Sequence, residues 1–291
     1  MPPSASGQHE KIVDMASKFL PVLEETKKET NFYTGSNLYS VLHAYYGLSM
    51  GMWGNFKESR NMFEKSIQAA SRVKDLFASG FAEHFYGLVL AIKGEGQITV
   101  KHLNNSERLC EKLNALVLLG NIWTFLGYAY YLLGELETAR NYIDKGIKRL
   151  SDSGRQSHMS LCYLFLSAIY FDSGELLKAQ GCIEEALKLS QKNNEKHYEE
   201  YAWIWLGRTL AKANSSQSHK AEEHIMKGIK TLDELKVRPW SSQGYLFLGE
   251  LYADTGQIEK ALEKLRVAEL RFQEMRMDYW LAKTQEVLAR L

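Results

Sequence analysis

The chain has 291 residues, 45% of them hydrophobic and 24% charged, and its 36 Lys and Arg nearly cancel its 35 Asp and Glu to leave a net charge of +1. So even a balance creates no global field to hold DNA, RNA or an anionic membrane, and neither nucleic-acid nor membrane partners are expected. The three widely spaced cysteines, Cys110, Cys162 and Cys182, suit neither a disulfide framework nor a zinc site, and they read as reduced thiols of a cytoplasmic protein.

Length alone suggests about two domains. The opening residues lack an apolar signal segment, and no run of about 18 apolar residues occurs anywhere, so secretion and membrane spanning are not expected. Proline occurs at 2, 3, 21 and 239 and nowhere between 22 and 238. Because proline is costly inside helices and common in β-rich turns, its distribution predicts an all-α chain.

In chain order, residues 1–7 are expected to be disordered. Residues 8–30 carry Ile12, Ala16, Phe19, Leu20 and Leu23 along one side of a helix that reads as half of a repeat. A self-similar stretch follows. Gly47, Gly87, Gly127, Ser167, Gly207 and Gly249 are separated by 40, 40, 40, 40 and 42 residues. Around Gly127 the residues Trp123, Leu126, Gly127 and Tyr130, followed by Ala139 and Ile143, read W-x2-L-G-x2-Y and then A-x3-F. This resembles the tetratricopeptide repeat. The units at Ser167 and Gly249 match nearly as well. The unit at Gly87 has Glu83 in the tryptophan position, and the unit at Gly207 carries the insertion Asn214-Ser215-Ser216-Gln217-Ser218.

The spacing has a physical reason. Positions four, seven, eight and eleven of a unit form one helical stripe facing the second helix of the pair, and glycine at position eight lets the two approach. Seven residues further on, Gly54, Gly94, Gly134, Gly174 and Gly256 suit the left-handed turn that ends the first helix. The resemblance implies an all-α fold, a right-handed tetratricopeptide superhelix (α-solenoid) of antiparallel helix pairs with about 40 residues per repeat. Six pairs are expected within 31–276, and 277–291, with Trp280, Leu281, Val287, Leu288 and Leu291, reads as a capping helix. A repeat cut in half leaves an apolar face open, so the amino-terminal half repeat is a candidate homodimer contact, or else the chain is a fragment.

The closing stretch Phe272-Gln273-Glu274-Met275-Arg276-Met277-Asp278-Tyr279-Trp280-Leu281 is similar to the ends of carboxy-terminal arrays in bacterial multidomain signalling proteins, among them class III nucleotide cyclases and maltose-regulator-like STAND ATPases. That resemblance implies a sensor or docking array serving a catalytic or switch domain.

Enzyme signals are missing. H-E-x-x-H, C-x-x-C and G-x-x-x-x-G-K-[ST] do not occur, no G-x-S-x-G or G-x-G-x-x-G stands in a β-strand context, Gly94-Glu95-Gly96 falls at a repeat turn, and the histidines lack metal-ligand spacing, so no catalytic residue, metal or cofactor is expected. The function then falls to the concave surface lined by the first helices. Its inner positions single out Phe81, His84, Leu88, Tyr128, Tyr131, Leu164, Phe171, Tyr201 and Ile204 as apolar or aromatic contacts, with Arg208 and Lys212 as anchors for an acidic residue. The lysines and asparagines of a clamp for a peptide's terminal carboxylate are absent from inner positions five and nine, which hold Ala44/Leu48, His84/Leu88, Thr124/Tyr128, Leu164/Ala168, Ile204/Arg208 and Leu246/Glu250.

The sequence thus predicts non-catalytic binding of a protein or peptide segment, from a partner or from another domain of a larger signalling protein. An alternative is sensing of a small effector, for which Asn121, Thr124 and Tyr128 supply polar groups beside aromatics. A competing reading of the same inner residues is that they only pack against one another.

Overall fold

A computed structural model describes residues 9–115, 118–154 and 157–291; the expectation for 1–7 lies outside these. Helix α1 (His9–Glu25) is followed by a hairpin of β1 (Phe32–Tyr33) and β2 (Ser36–Asn37). Six helix pairs come next: α2 (Leu38–Met52) with α3 (Phe56–Arg72), α4 (Leu76–Lys93) with α5 (Gly96–Lys112), α6 (Leu119–Leu132) with α7 (Leu136–Asp152), α8 (Met159–Asp172) with α9 (Leu176–Lys192), α10 (Lys196–Ala213) with α11 (Ser218–Glu234), and α12 (Arg238–Asp254) with α13 (Ile258–Met275). Helix α14 (Asp278–Leu288) packs on α13. The described residues fall into two compact units, one within 9–154 and the other within 157–291.

The pairs are built on a column of small residues. The fourth, eighth and eleventh residues of the second helices run small, large, small: Ser59, Phe63 and Ser66 in α3, Ala139, Ile143 and Gly146 in α7, Ala261, Leu265 and Ala268 in α13. All of them are buried. The small residues let the second helix close on its own first helix. A Cβ placed on Gly146 would meet the Gly120 carbonyl oxygen at 2.8 Å, and one on Gly228 would meet the Glu200 carbonyl oxygen at 2.5 Å. Where the residue is serine, its hydroxyl donates instead to that carbonyl, Ser66 to Ser40 at 2.7 Å and Ser106 to Gly80 at 2.7 Å.

Two buried carboxylates tie consecutive pairs together. Asp75 accepts from the Ala78 amide of its own helix α4 at 2.9 Å, and also from the Asn37 amide at 2.6 Å and the Ser36 hydroxyl at 3.0 Å, at the start of α2. Glu195, ahead of α10, accepts from the His158 amide at 2.8 Å and from the Ser160 hydroxyl, at the start of α8. Both meet amides left without intrahelical partners at a helix start. Burial raises the Glu195 carboxyl above its ordinary value, against the lowering effect of those donors.

The hairpin was not expected from an all-α reading. It pairs Phe32 with Asn37 and Tyr33 with Ser36 across Thr34 and Gly35, whose φ values are 51° and 86°. Two consecutive residues in the left-handed region make the turn that matches strand twist, and Thr-Gly is a weak sequence signal for it.

Candidate functional site

Within each compact unit, register places equivalent residues of successive first helices side by side. In the unit within 157–291, position nine of α10 is Arg208 and position nine of α12 is Glu250, and their side chains form a bidentate ion pair, Nε to Oε2 at 2.9 Å and Nη2 to Oε1 at 3.2 Å. The guanidinium also lies against aromatic rings, its carbon 3.8 Å from the Phe247 centroid and 4.5 Å from that of Phe171, with Trp205 at 5.2 Å. One cation is thus held by a carboxylate and three rings, the arrangement for which arginine's planar, weakly hydrated head is suited.

Arg208, Glu250, Phe171 and Phe247 line a cavity of about 320 Å³. Lys212 and Asp254, one turn beyond Arg208 and Glu250, stand at its rim, and Val287, Arg290 and Leu291 from the end of the chain bound another side. Because Glu250 already neutralises Arg208, the other charged side chains of the lining are Lys212, Arg290 and Asp254.

Of the residues singled out by sequence, the structure brings Phe171, Arg208 and Lys212 together in this groove. Arg208, expected as a free anchor for an acid, is engaged internally, because position nine of the next helix happens to be acidic. Lys212 is exposed. Leu164, Tyr201 and Ile204 lie beneath the surface at 1% exposure or less, with the Tyr201 hydroxyl donating to Gln243 Oε1 at 2.5 Å and its ring stacked 4.6 Å from Trp240.

In the other unit, His84, Leu88, Tyr128 and Tyr131 are buried, the two tyrosine rings stacked 5.5 Å apart. Phe81 is half-buried in an aromatic cluster, 5.3 Å from Tyr45 and 4.6 Å from Phe85, with Phe77 on its exposed side at 6.2 Å. Among the described residues no group of three or more His, Cys, Asp or Glu is placed to hold a metal ion, and no helix is long and apolar enough to cross a membrane.

The sequence reading passed over Phe247, which lines the groove, and Trp205, which is buried beneath it against Arg208 and Phe247. A signal was present. Position six of the six first helices reads Tyr45, Phe85, Phe125, Phe165, Trp205 and Phe247, aromatic each time. The consensus stripe draws the eye to positions four, seven, eight and eleven, whereas position six meets its counterpart on the neighbouring first helix at 5.7 Å between Tyr45 and Phe85 and at 5.2 Å between Trp205 and Phe247.

Residues 114–291, from the end of α5 through α14, match the model of the MalT-like TPR region. The chain belongs to this family. No functionally curated protein matches it in sequence. Among solved structures, this MalT-like array is similar to a Rap protein complexed with Competence and Sporulation Factor, at 14% identity and a TM-score of 0.67 over 95% of this chain and 80% of that one. It is also similar to NprR in complex with its cognate peptide NprX, at 11% identity and a TM-score of 0.67 over 96% and 81%. A STAND signal-transduction ATPase with a tetratricopeptide sensor, from Pyrococcus horikoshii, matches at 16% identity and a TM-score of 0.52, over 95% of this chain and 47% of that one. At these identities the shared property is the fold.

Proposed function

We propose that the groove around Phe171, Arg208, Lys212 and Phe247 binds a peptide segment, presented by a partner or by another domain of a longer polypeptide. The observation that carries this reading is a preformed aromatic trough whose rim bears Lys212 and Arg290 against Asp254. Rigid rings give contact area at little entropic cost, and a rim cation rewards an acidic side chain beside an apolar one. Two structures of the same fold, the Rap protein and NprR, are complexes with Competence and Sporulation Factor and with the cognate peptide NprX.

Peptides selected from a random display library on the full chain are expected to carry an acidic residue within a few positions of an aromatic or aliphatic one. Lys212→Glu and Phe171→Ala should each weaken the selected peptides by about tenfold, or about 1.4 kcal/mol. Selected peptides that bind the double variant as tightly as the parent would overturn the proposal, as would a selection that enriches nothing.

A second reading keeps the same cavity for a small polar effector, since about 320 Å³ lined by charges of both signs matches the size and character of a metabolite site. A thermal-shift screen separates the two. An effector raises the melting temperature of the parent and not of Lys212→Glu, whereas a peptide site leaves metabolites without effect.

A further inference from the structure

Helix α1 occupies the place of a second helix but is built differently from the other six. Its register is fixed by contacts. His9, its first residue, meets Ser49, two residues after Gly47, just as Gly96, the first residue of α5, faces Ala129, two residues after Gly127. Its twelfth residue, Leu20, packs with Leu42, as the twelfth residue of α11, Ile229, faces Gly244. In that register the eleventh residue, Ser, Ser, Gly, Ala, Gly and Ala in the six pairs, is Phe19.

The eleventh position is where each pair closes on its own first helix, and Phe19 leaves no room for that approach. It is instead 56% exposed, with Met15 at 42% and Val22 at 50% on the same face. Residues 15, 19 and 22 form a continuous helical stripe. The flank of this stripe is charged in opposite senses at its two ends, Lys11 towards the start and Glu25 towards the finish, both exposed, while Lys18 between them is already paired with Asp14 at 2.8 Å.

We propose that this face seats a second copy of the chain, α1 against α1 in antiparallel orientation about a two-fold axis near Phe19. That orientation sets Met15 of one copy against Val22 of the other, brings the two Phe19 rings together, and opposes Lys11 with Glu25 twice. A two-fold contact uses each complementary pair twice, which is what a stripe with oppositely charged ends provides. The face is a single helix wide, so the dimer is weak and dissociates on dilution.

Sedimentation equilibrium of the full chain over about 1 to 300 µM is expected to show a reversible monomer–dimer equilibrium. Phe19→Ser, which alters an exposed side chain and should leave the circular dichroism unchanged, weakens it by about tenfold or more. Lys11→Glu and Glu25→Lys each weaken the dimer singly, and together they restore it. A chain that stays monomeric across the range overturns the proposal and leaves the face to another occupant. A dimer indifferent to Phe19→Ser, or a double exchange that fails to restore association, overturns it equally.

Discussion

Arg208 shows how much of a residue's role depends on its neighbours. As a letter in the sequence it is a cation awaiting an acid; in the structure it is spent on Glu250 and on the Phe171 and Phe247 rings. His9 makes a related point at the other end of the chain. Its imidazole is buried between α1 and α2, with Nδ1 3.2 Å from the Ser49 hydroxyl, and burial lowers it from 6.5 to about 4. Between those two values the unfolded chain takes up a proton that the folded one refuses, so stability falls as pH drops through this window and is unaffected above it. At pH 5 the loss is on the order of 2 kcal/mol. Urea unfolding of the parent and of His9→Gln at pH 7 and pH 5 checks this: the variant should lose less stability on acidification. His43 and His224, lowered in the same direction chiefly by burial, contribute equally to both proteins and leave the difference to His9.

At the scale of the element, the helix pair is a close-approach device. A Cβ on Gly127 would meet Ile143 Cγ1 at 2.5 Å and the Ala139 carbonyl oxygen at 2.7 Å. The side chain can turn away, but the carbonyl belongs to the backbone of α7 and can move only with the helix. Gly127→Ala is therefore expected to cost about 1–3 kcal/mol. Gly181, on the exposed face of α9, has nothing within 4 Å of such a Cβ, so Gly181→Ala should stabilise by about 0.5–1 kcal/mol through helix propensity alone. Chemical denaturation of the two variants beside the parent tests the contrast. The repeat interval made the first of these glycines readable from sequence, because close packing of two helices recurs in every unit. The carboxylates Asp75 and Glu195 were not readable in this way. They act across a repeat on amides whose need for an acceptor is a property of helix starts, and the letters D and E look the same on a solvated face.

For the whole molecule, near-zero net charge is a statement about partners. Exposed ion pairs such as Asp14–Lys18 and Arg60–Glu64 interleave the two signs locally, so no long-range field accumulates. The chain is expected to pass through heparin resin in the starting buffer at about 50 mM salt, since polyanion binding requires many cations acting together. Retention to high salt would show a basic surface that the composition conceals.

What the amino-acid sequence determined by itself was the all-α repeat: interval, helix pairing and turn positions all follow from local rules applied over and over, and repetition averages out the weak units. What only the tertiary structure decided was which inner residues are surface and which are filling. Phe171 and Ile204 are both apolar residues at inner positions, yet one lines a groove and the other is wholly enclosed. The difference is made by residues about forty positions away on the next helix, whose side chains either cover a neighbour or leave it open. Phe19 belongs with them: its hydrophobicity is legible in the chain, but its exposure is fixed by the absence, among the described residues, of a helix small enough at the contact to lie against it.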